Sequence, residues 1–529
     1  MLFSIHFIKV LLGIKIPNPT YNSNMNQPKT TLFSFLLCLF TGASAQTTHY
    51  DFKDGDLFYR ILSPRDSTVE VAGGDATFRG ITVIPDRVTH GDTAYYVVSV
   101  GENALKGNQY RSGIQFGKHL RVIKPYAFAQ QPSLASVKLP DHIETIGKAA
   151  FYACSHLTEI EIGNGIDSIS ESAFYGSAAS SITLGNKVRW IGKEAFIGQS
   201  GRLKSLSLPE SVKYVGESAF SGHRYLTSLN LGAVEEIGKN AFGNLASLQK
   251  LYIPTSVKVI HGNPFSYNAT LSSITVDAEN TVFDSRNACN AIINSTTNVA
   301  VSCCLETQLP EGVTGLGEDA LTFGGASKMF TLNLPSTLTF IAKSYLPRMD
   351  KVVIPNLRQW FNIRFGINPL RSAHRLFVQD EEVTEVEVPE DVEALNSSCF
   401  DGMSNLKSVK LHRGIKDIGG NAFQGCNALK TLECSWKNPP QILFTIFDNN
   451  HYNTVTLLVP FGCAANYKQI SPWRLFQRIN EMSEVSGIET PTNADKGSQR
   501  LYNLKGIAVK CTGHHGIVVT ESGEKIWQK

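Results

Sequence analysis

The sequence predicts a solenoid of stacked coils built mostly from β-strands. An Ala-Phe pair, or a close variant of it, returns along most of the chain together with its neighbours. The second residue of the pair, or its substitute, falls at Leu105, Phe128, Phe151, Phe174, Phe196, Phe220, Phe242, Phe265, Leu321, Tyr345, Phe400, Phe423 and Phe447. Successive positions lie 22 to 24 residues apart, except for two jumps of 56 and 55. A fixed period in the low twenties is typical of leucine-rich repeats, in which each unit forms one coil.

Each unit reads approximately L-x-x-L-x-L-P followed by S-V-x-x-I-G-x-x-A-F. The first part alternates apolar and polar residues, as at Leu229 and Leu231, and this predicts a short strand with one buried face. The V-x-x-I part is predicted to cross to the other side of the coil, and a glycine such as Gly216 permits the tight turn that follows. The x-x-A-F part is predicted to form a short helical turn whose Phe fills the interior.

Stacking explains why the unit repeats. One coil cannot bury its own apolar edges, whereas stacked coils can, because each strand pairs with the next about 4.8 Å away. The predicted fold class is therefore a leucine-rich repeat solenoid, mostly β, with a parallel sheet on the concave face and short helical turns on the convex side. A β-rich N-terminal cap covers the first coil, and the two long jumps predict hairpin insertions.

The predicted organisation follows from these features. It consists of an upstream extension (1–24), interpreted as the product of a misplaced start codon, a signal peptide (25–45), a β-rich N-terminal cap (46–99), leucine-rich repeats (100–280, 311–345 and 393–445), hairpin insertions (281–310 and 346–392), a C-terminal cap (446–483) and a β-prone tail (484–529).

The N-terminal region predicts export. Lys29 supplies a positive charge, an apolar run covers 32–40, and Ala43-Ser44-Ala45 fits a cleavage site. The run is too short to span a bilayer, which needs about 20 apolar residues. We therefore expect a cell-surface or extracellular location without a transmembrane span, and an uncleaved amphipathic leader stays open as an alternative.

Composition and motifs argue against several function classes. The formal net charge is only +3, so nothing predicts a basic stripe for nucleic acid. The chain has no G-x-S-x-G, H-E-x-x-H, phosphate-loop or catalytic cysteine signature. Glu159 and Glu161 would share a solvated face, without the desolvation that raises the pKa of a general acid. Cys511, His514 and His515 are weak evidence for a zinc site. The sequence thus predicts no enzyme, no cofactor and no metal.

Ten cysteines in an exported chain raise the question of disulfides. Cys289, Cys303 and Cys304 lie close together outside the regular repeats and are the best candidates, and their redox state is open at this point. Cys154 and Cys426 each follow a repeat Phe by three residues, and we interpret them as small buried apolar side chains.

The predicted concave face carries the candidate binding residues. Its outward positions hold mostly small hydroxyl side chains, which suit a polar protein-binding surface, although solubility is the simpler explanation for them. The candidates are Ser205, Ser207, Ser228, Asn230, Lys250, Tyr252, Ser273 and Thr275. Tyr252 alone is too little for a sugar platform, and Trp360 and Phe361 are interpreted as packing anchors of the second insertion rather than as a ligand platform.

The unit I-G-x-x-A-F-x-x-C-x-x-L-x-x-L-x-L-P resembles the repeat of BspA-like (Treponema pallidum-type) leucine-rich repeat surface proteins of Bacteroidota, over about residues 50–485. The insertion segment DSRNACNAII is also similar to segments of such proteins. The tail matches their C-terminal pattern at Tyr502, Leu504, Gly506, Gly516, Gly523 and Lys525, and departs from it at Val518. The resemblance implies display at the cell surface and adhesion.

The predicted function is therefore a secreted or cell-surface protein that binds host extracellular matrix or other surface proteins, or glycans, through its concave face. One alternative is a glycan-binding component of an envelope nutrient-uptake system, in which Trp360 would contact the glycan. Another is a passive surface spacer. Nucleic acid is not an expected partner.

Overall fold

A computed structural model describes residues 49–483 apart from 199, 325–328 and 443–444, and the backbone of four short segments between 501 and 528. All the elements below lie in residues 50–529, which form one compact unit. The N-terminal strands are β1 (Phe52–Asp54), β2 (Leu57–Ser63), β3 (Thr68–Gly74), β4 (Gly80–Ile84), β5 (Arg87–His90), β6 (Thr93–Val100) and β7 (Arg111–Phe116).

Each regular coil then contributes two strands. These are β8 (Val122–Ile123), β9 (Ser136–Leu139), β10 (Thr145–Ile146), β11 (Glu159–Ile162), β12 (Ser168–Ile169), β13 (Ser181–Thr183), β14 (Trp190–Ile191), β15 (Ser205–Ser207), β16 (Tyr214–Val215), β17 (Ser228–Asn230), β18 (Glu236–Ile237), β19 (Lys250–Ile253), β20 (Val259–Ile260) and β21 (Ser273–Val276). The odd-numbered strands β9 to β21 come from the L-x-x-L-x-L part, and we call them the first ladder. The even-numbered strands β8 to β20 come from the V-x-x-I part, and we call them the second ladder.

Both ladders consist of parallel strands, one from each coil. In the second ladder Ile146 pairs with Ile169, and Ile169 pairs with Ile191. The V-x-x-I part therefore does more than cross the coil, as the sequence predicts, because it forms a sheet of its own. This sheet runs from β6 through β20 without interruption.

A column of stacked phenylalanine rings fills the interior of the solenoid. The rings of Phe128, Phe151, Phe174, Phe196, Phe220, Phe242 and Phe265 lie with neighbouring centroids 5.1 to 5.8 Å apart. Each of these side chains is almost completely buried. Because each ring contacts the ring of the next coil, the column joins successive coils through the core.

A second contact between coils involves the third residue after the Phe. In five coils this side chain is hydrogen-bonded to the backbone carbonyl of the repeat Phe, or its substitute, in the preceding coil. The pairs are Gln131 with Leu105, Cys154 with Phe128, His223 with Phe196, Asn268 with Phe242, and Cys426 with Phe400. The distances range from 2.6 Å for Gln131 to 3.3 Å for Cys154. Buried carbonyls need such partners, because an unpaired one is costly. Cys154 and Cys426 are buried, and their thiols serve as donors at this position.

The x-x-A-F segments form turns rather than α-helices. The residue two before the Phe has a positive φ, for example 54° at Ala149 and 57° at Ser172. Such a residue interrupts the right-handed series that a helix requires. The backbone N–H of Phe151 donates to the carbonyl of Ala173 in the next coil at 2.8 Å, so the turns also pair between coils.

The N-terminal strands continue the second ladder toward the chain start. Strands β1, β2, β3 and β6 lie side by side, and β6 pairs with β8 of the first regular coil. The carboxylate of Glu70 on β3 is fully buried and forms ion pairs with Arg60 and, at 2.7 Å, with Lys124. Lys124 follows β8 directly, so this network connects the N-terminal strands with the first coil.

The irregular middle part contains β22 (Phe283–Asp284), β23 (Ala291–Asn294), β24 (Val299–Cys303), β25 (Gly315–Leu316), β26 (Phe330–Asn333), β27 (Phe340–Ile341), β28 (Met349–Ile354), helix α1 (Leu357–Asn362), β29 (Arg364–Phe365), helix α2 (Leu370–Ala373), β30 (Leu376–Val378) and β31 (Glu381–Glu382), with a 3-10 helix at Arg286–Ala288. Strands β22, β23 and β24 are antiparallel neighbours, as in a hairpin, and β24 then pairs in parallel with β25.

The second predicted insertion contains more than a hairpin. Strands β28 and β29 pair in parallel with β26 and β27, respectively, so this stretch adds a further coil to the solenoid. Leu370 follows Phe365 of β29 by five residues, the spacing of a repeat Phe from its V-x-x-I residue, and it is fully buried. The Ala-Phe period does not show this coil because Leu370 replaces the repeat Phe. Strands β30 and β31 form an antiparallel pair, as expected for the hairpin predicted within 346–392.

One repeat position is shifted by a residue. Tyr345, aligned with the repeat Phe in the sequence, is 57% exposed. The neighbouring Leu346 packs against the core instead. Leu346 follows Ile341, the last residue of V-x-x-I in its coil, by the same number of residues that separates a repeat Phe from the equivalent Ile in other coils. The alignment of Tyr345 with the repeat Phe was therefore wrong.

The last coils contain β32 (Glu385–Glu387), β33 (Ala394–Leu395), β34 (Ser408–Leu411), β35 (Asp417–Ile418), β36 (Thr431–Cys434), helix α3 (His451–Thr454), β37 (Thr456–Val459), helix α4 (Ala464–Tyr467) and β38 (Arg478–Glu481), with a 3-10 helix at Trp473–Leu475. Strands β32, β34, β36, β37 and β38 form one sheet. In the tail, the backbone of β39 (Leu501–Asn503), β40 (Ala508–Val509), β41 (Gly516–Thr520) and β42 (Lys525–Gln528) forms an antiparallel sheet.

Candidate functional site

The predicted concave face corresponds to the outward side of the first ladder. Its candidate residues are Ser205 and Ser207 on β15, Ser228 and Asn230 on β17, Lys250 and Tyr252 on β19, and Ser273 and Thr275 on β21. All of them are exposed except Ser273, which is half-buried. The structure brings them together on neighbouring strands, because Ser205 is opposite Ser228 and Lys250 is opposite Ser273.

The first ladder is interrupted at two places, whereas the second ladder is continuous. Strands β9, β11 and β13 form one sheet, β15 and β17 a second, and β19 and β21 a third. Both strands that precede an interruption, β13 and β17, lie in coils with a Phe-to-Phe spacing of 22 residues, and the other regular coils have 23 or 24. The central residues of these strands, Ile182 and Leu229, are only partly buried.

The interruptions remove a regular hydrogen bond between coils. In paired coils, the residue just before the strand donates its N–H to the equivalent carbonyl of the preceding coil, as from Ser180 to Thr158 at 2.8 Å and from Thr227 to Lys204 at 2.9 Å. Among the described residues, no backbone hydrogen bond joins Lys204 N to Ser180. Strands β13 and β15 therefore face each other with unpaired edges.

A cleft occupies the space between β13 and β15. It has a volume of about 380 Å³. Its lining consists of Ser180, Ser181, Ile182, Thr183, Leu184, Leu203, Ser205, Ser207 and Pro209. The cleft thus combines a rim of hydroxyl groups with a small apolar surface at Ile182, and it includes two of the predicted binding residues.

Several candidate residues already have partners within the chain. The Asn230 amide donates to the hydroxyl of Ser207 at 3.2 Å and accepts from Gly232 N at 3.0 Å. The Tyr252 hydroxyl donates to Asp277, and this hydrogen bond raises the pKa of Tyr252. In the described part of the chain, Lys250 has neither a hydrogen-bond nor an ion-pair partner. Among the eight candidate residues, Lys250 therefore supplies an unpaired positive charge.

The first-ladder carboxylates Glu159 and Glu161 lie on the solvent-facing side of β11. Glu161 forms an ion pair with Lys138 at 2.8 Å, and both carboxylates lie on exposed strand positions. Their exposure agrees with the solvated face that the sequence predicts.

The cysteine cluster at the first insertion consists of free thiols. Cys289, Cys303 and Cys304 are buried and form no disulfide. Burial raises the pKa of Cys304 to about 11 and that of Cys303 further, so neither thiol is a reactive thiolate at neutral pH.

Trp360 cannot serve as a glycan platform. Its side chain is completely buried, and its indole N–H donates to the carbonyl of Cys399 at 2.9 Å. This corrects the version of the glycan hypothesis in which Trp360 contacts the ligand.

Two further predictions concern metals and membranes. In the described residues, no group of three His, Cys, Asp or Glu side chains is placed to hold a metal ion. Cys511, His514 and His515, like the predicted signal peptide, lie outside the described residues. No helix among the residues described is both long enough and apolar enough to cross a membrane.

Sequence reasoning missed an aromatic pair on the second ladder. The rings of Trp190 and Tyr214 stack with centroids 3.6 Å apart, and Trp190 is 49% exposed. The available signal was the paired occurrence of an aromatic residue just before the last apolar residue of V-x-x-I in two successive coils.

Comparison with known proteins assigns the family. A family model described as "BspA type Leucine rich repeat region (6 copies)" matches residues 92–202, 191–302 and 373–480. Together the matches span more than half of the chain. The chain belongs to the BspA-type leucine-rich repeat family. No curated protein matches it.

Solved structures of three bacterial proteins are similar to this BspA-type chain. A leucine-rich repeat protein from Bacteroides ovatus is 21% identical, with 73% of this chain and 95% of that chain covered and a TM-score of 0.41. A leucine-rich cell surface protein from Faecalibacterium prausnitzii is 20% identical, with coverages of 72% and 94% and a TM-score of 0.46. The pneumococcal vaccine antigen PcpA is 17% identical, with coverages of 82% and 98% and a TM-score of 0.41.

Proposed function

We propose that this BspA-type protein is a secreted or cell-surface binding protein without enzymatic activity. It adheres to proteins of a host matrix or of other bacteria through the outward side of the first ladder. The observation that carries the proposal is the cleft between β13 and β15, which opens within the predicted binding face.

The cleft offers two kinds of contact to an extended protein segment. In a parallel sheet, alternate residues of a strand direct their N–H and C=O groups to opposite sides, so an unpaired edge presents one set of these groups. An incoming peptide can use such an edge as a template for backbone hydrogen bonds. The hydroxyl groups of Ser181, Thr183, Ser205 and Ser207 provide further polar partners around it.

The surface beside the cleft extends the area available to a partner. Ser228 and Asn230 lie on the strand next to β15, and Lys250 and Tyr252 lie beyond the second interruption. Lys250 supplies an unpaired positive charge, which favours an acidic region of the partner. A polar and hydrated surface of this kind is compatible with specific protein binding.

The experiment measures binding of the full chain to an array of matrix proteins and polysaccharides, followed by variants of the cleft. We expect saturable binding to a matrix protein such as fibronectin or fibrinogen, and a loss of about tenfold or more in affinity for Ser205→Glu/Ser207→Glu. Ser136→Glu is the matched control, because Ser136 is an exposed serine of the first ladder on β9, away from the cleft. Lys250→Glu tests the adjacent charge.

The outcomes separate the proposed roles. Equal binding by the cleft variant and the Ser136→Glu control would place the site elsewhere and contradict the proposal. Binding to polysaccharides alone would favour a glycan-binding component of an uptake system, and no binding to any molecule on the array would favour a passive spacer. Export is tested separately, since cleavage after Ala45 predicts a mature chain that begins at Gln46, which N-terminal sequencing of the released protein would detect.

A further inference from the structure

The second ladder carries an exposed aromatic surface on the neighbouring strands β14 and β16. Trp190 on β14 is opposite Ser168 on one side and Tyr214 on the other. The rings of Trp190 and Tyr214 are nearly parallel, with an interplanar angle of 15°. We call these two residues the aromatic platform.

One face of the Trp190 indole is open. Tyr214 covers the face on its own side, whereas the opposite face lies toward Ser168, whose side chain is far too short to cover an indole. The result is that 49% of the Trp190 side chain stays exposed, although the tryptophans at 360 and 473 are fully buried. An open aromatic face of this kind packs well against the flat C–H surface of a sugar ring, because both are large and weakly hydrated.

A basic hollow lies directly beside the aromatic platform. It has a volume of about 660 Å³ and is lined by Asp167, Asn186, Lys187, Arg189, Ser211 and Lys213. Asp167, Arg189 and Lys213 each directly precede one of the residues Ser168, Trp190 and Tyr214, so the hollow follows the same three coils. A ligand that stacks on Trp190 therefore reaches the hollow with its polar substituents.

The charges around the hollow favour an anion. Lys187 and Arg189 have no ion-pair partner within the described part of the chain, and Lys213 pairs with Glu235 at 3.2 Å. Asp167 is the one acidic residue of the lining, so the cations outnumber it. Arginine and lysine at a partly enclosed surface bind carboxylates through charge-assisted hydrogen bonds.

We propose that the aromatic platform and the basic hollow bind a carboxylated polysaccharide, in which a sugar ring stacks on Trp190 while uronate groups contact Lys187 and Arg189. This site belongs to the second ladder, and the protein-binding cleft belongs to the first. The two proposals are therefore independent, and failure of one leaves the other in place.

The test is isothermal titration of the full chain with polygalacturonate and with fully methyl-esterified polygalacturonate. Both probes present the same sugar ring, but only the first carries negative charges. We expect saturable binding of polygalacturonate that weakens as salt is added, and binding of the ester at least about tenfold weaker. Equal affinity for the two probes, or binding of neither, overturns the proposal.

Variants assign the binding to individual residues. Trp190→Ala is expected to lower affinity for polygalacturonate about tenfold, and Arg189→Ala is expected to lower it less and to reduce its salt dependence. Tyr225→Ala is the aromatic control, because Tyr225 is exposed to a similar extent, 56%, but lies outside both ladders. Lys258→Ala is the charge control, because Lys258 occupies the position equivalent to Lys213 two coils further along.

A second variant blocks the site without removing a side chain that supports the fold. Ser168→Trp places a ring over the open face of Trp190 and is expected to abolish binding while the thermal unfolding midpoint is retained. Unchanged binding by both Trp190→Ala and Ser168→Trp would contradict the proposal. Tighter binding of an oligothymidylate than of polygalacturonate would also overturn it, since single-stranded nucleic acid uses the same combination of stacking and charge.

Discussion

The two ladders of this BspA-type solenoid come from the same coils but differ in continuity. Between β8 and β21 the first ladder is interrupted twice, whereas the second ladder passes through all the coils. The phenylalanine column crosses both interruptions, with ring spacings of 5.1 Å from Phe196 to Phe220 and 5.8 Å from Phe242 to Phe265. Neighbouring coils are thus held together even where one of their strands is unpaired.

This difference separates the contacts that hold the coils together from the strand edges that are available for binding. The second ladder, the aromatic column and the side-chain bonds to the Phe carbonyls connect the coils on one side and in the core. The first ladder can then open locally, and its unpaired edges become available to other molecules. We expect stability to depend on the core contacts and binding to depend on the interrupted ladder.

The largest expected effect on stability comes from the aromatic column. Phe196→Ala removes a fully buried ring that lies between Phe174 and Phe220, and we expect a loss of about 3–5 kcal/mol in the free energy of unfolding. Urea unfolding measures this change. Tyr225→Ala is the control, because Tyr225 is 56% exposed and its removal should cost less than about 0.5 kcal/mol. Equal losses for the two variants would mean that the column does not hold the coils.

The second prediction concerns the ion network that joins the N-terminal strands to the second ladder. Glu70→Gln leaves Arg60 and Lys124 without their carboxylate, and we expect a loss of about 2 kcal/mol at neutral pH. The control is Glu161→Gln, since the exposed pair of Glu161 with Lys138 should contribute less than about 1 kcal/mol.

The same carboxylate predicts a pH dependence. Burial alone would raise the pKa of Glu70, but hydrogen bonds and ion pairs with Lys124 and Arg60 outweigh it, and the pKa is lowered from its ordinary value of 4.5. A lowered pKa in the folded state stabilises the fold above pH 4.5, and this contribution is lost as the pH falls below that value. Unfolding measured between pH 7 and pH 3 should show a smaller acid-induced loss for Glu70→Gln than for the parent. An identical profile would exclude this role for Glu70.

A smaller effect is expected at the hydrogen bond next to the first interruption. The His223 ring bonds to the carbonyl of Phe196 at 2.8 Å, and Asn268 occupies the equivalent position in another coil. His223→Leu should cost about 1–2 kcal/mol because the carbonyl loses its partner, whereas His223→Asn should retain most of the stability. If Asn rescued nothing, the hydrogen bond would not be the stabilising element.

Titration of His223 distinguishes the two variants further. Burial lowers the pKa of His223 below its ordinary value of 6.5, so protonation destabilises the fold. The contribution of the neutral ring is present above pH 6.5 and is lost as the pH falls through the lowered pKa. His223→Asn should remove this part of the acid-induced loss.

The smallest effect is expected in local backbone dynamics. Amides of Ser205 and Ser207 on the unpaired edge should exchange with deuterium faster than the amide of Val215, which lies in the continuous second ladder. Hydrogen exchange followed by mass spectrometry measures this difference. Equal protection would indicate that the two strand edges close in solution, and the cleft proposal would lose its basis.

The sequence predicts the parts of this fold that repeat strictly. A period of 22 to 24 residues and the alternation in L-x-x-L-x-L are sufficient for the solenoid, the first ladder and the buried Phe positions. The second ladder is harder to predict, because strands of two residues such as Trp190–Ile191 are too short for any alternation to show. The extra coil at β28 is not marked by the Ala-Phe pair, since Leu370 replaces the Phe at its core position.

The candidate site was predictable only in part. Alternation identifies Ser205 and Ser207 as outward residues, and both line the cleft. The cleft itself depends on whether neighbouring strands of the first ladder form hydrogen bonds. A coil that is one residue shorter does not show in its own sequence that this pairing is interrupted. The stacking of Trp190 on Tyr214 likewise depends on the register between two coils, which the sequence of either coil alone does not reveal.

The coil-to-coil contacts also fix distances along the surface. Each coil is attached to the next by the same kinds of contact, so two features on the surface are separated by a whole number of steps of about 4.8 Å each. Adding or removing one complete coil would change the spacing between the cleft and the first insertion by one step and leave both intact. A partner that contacts both the cleft and the first insertion must span the distance between them, and the number of intervening repeats sets that distance.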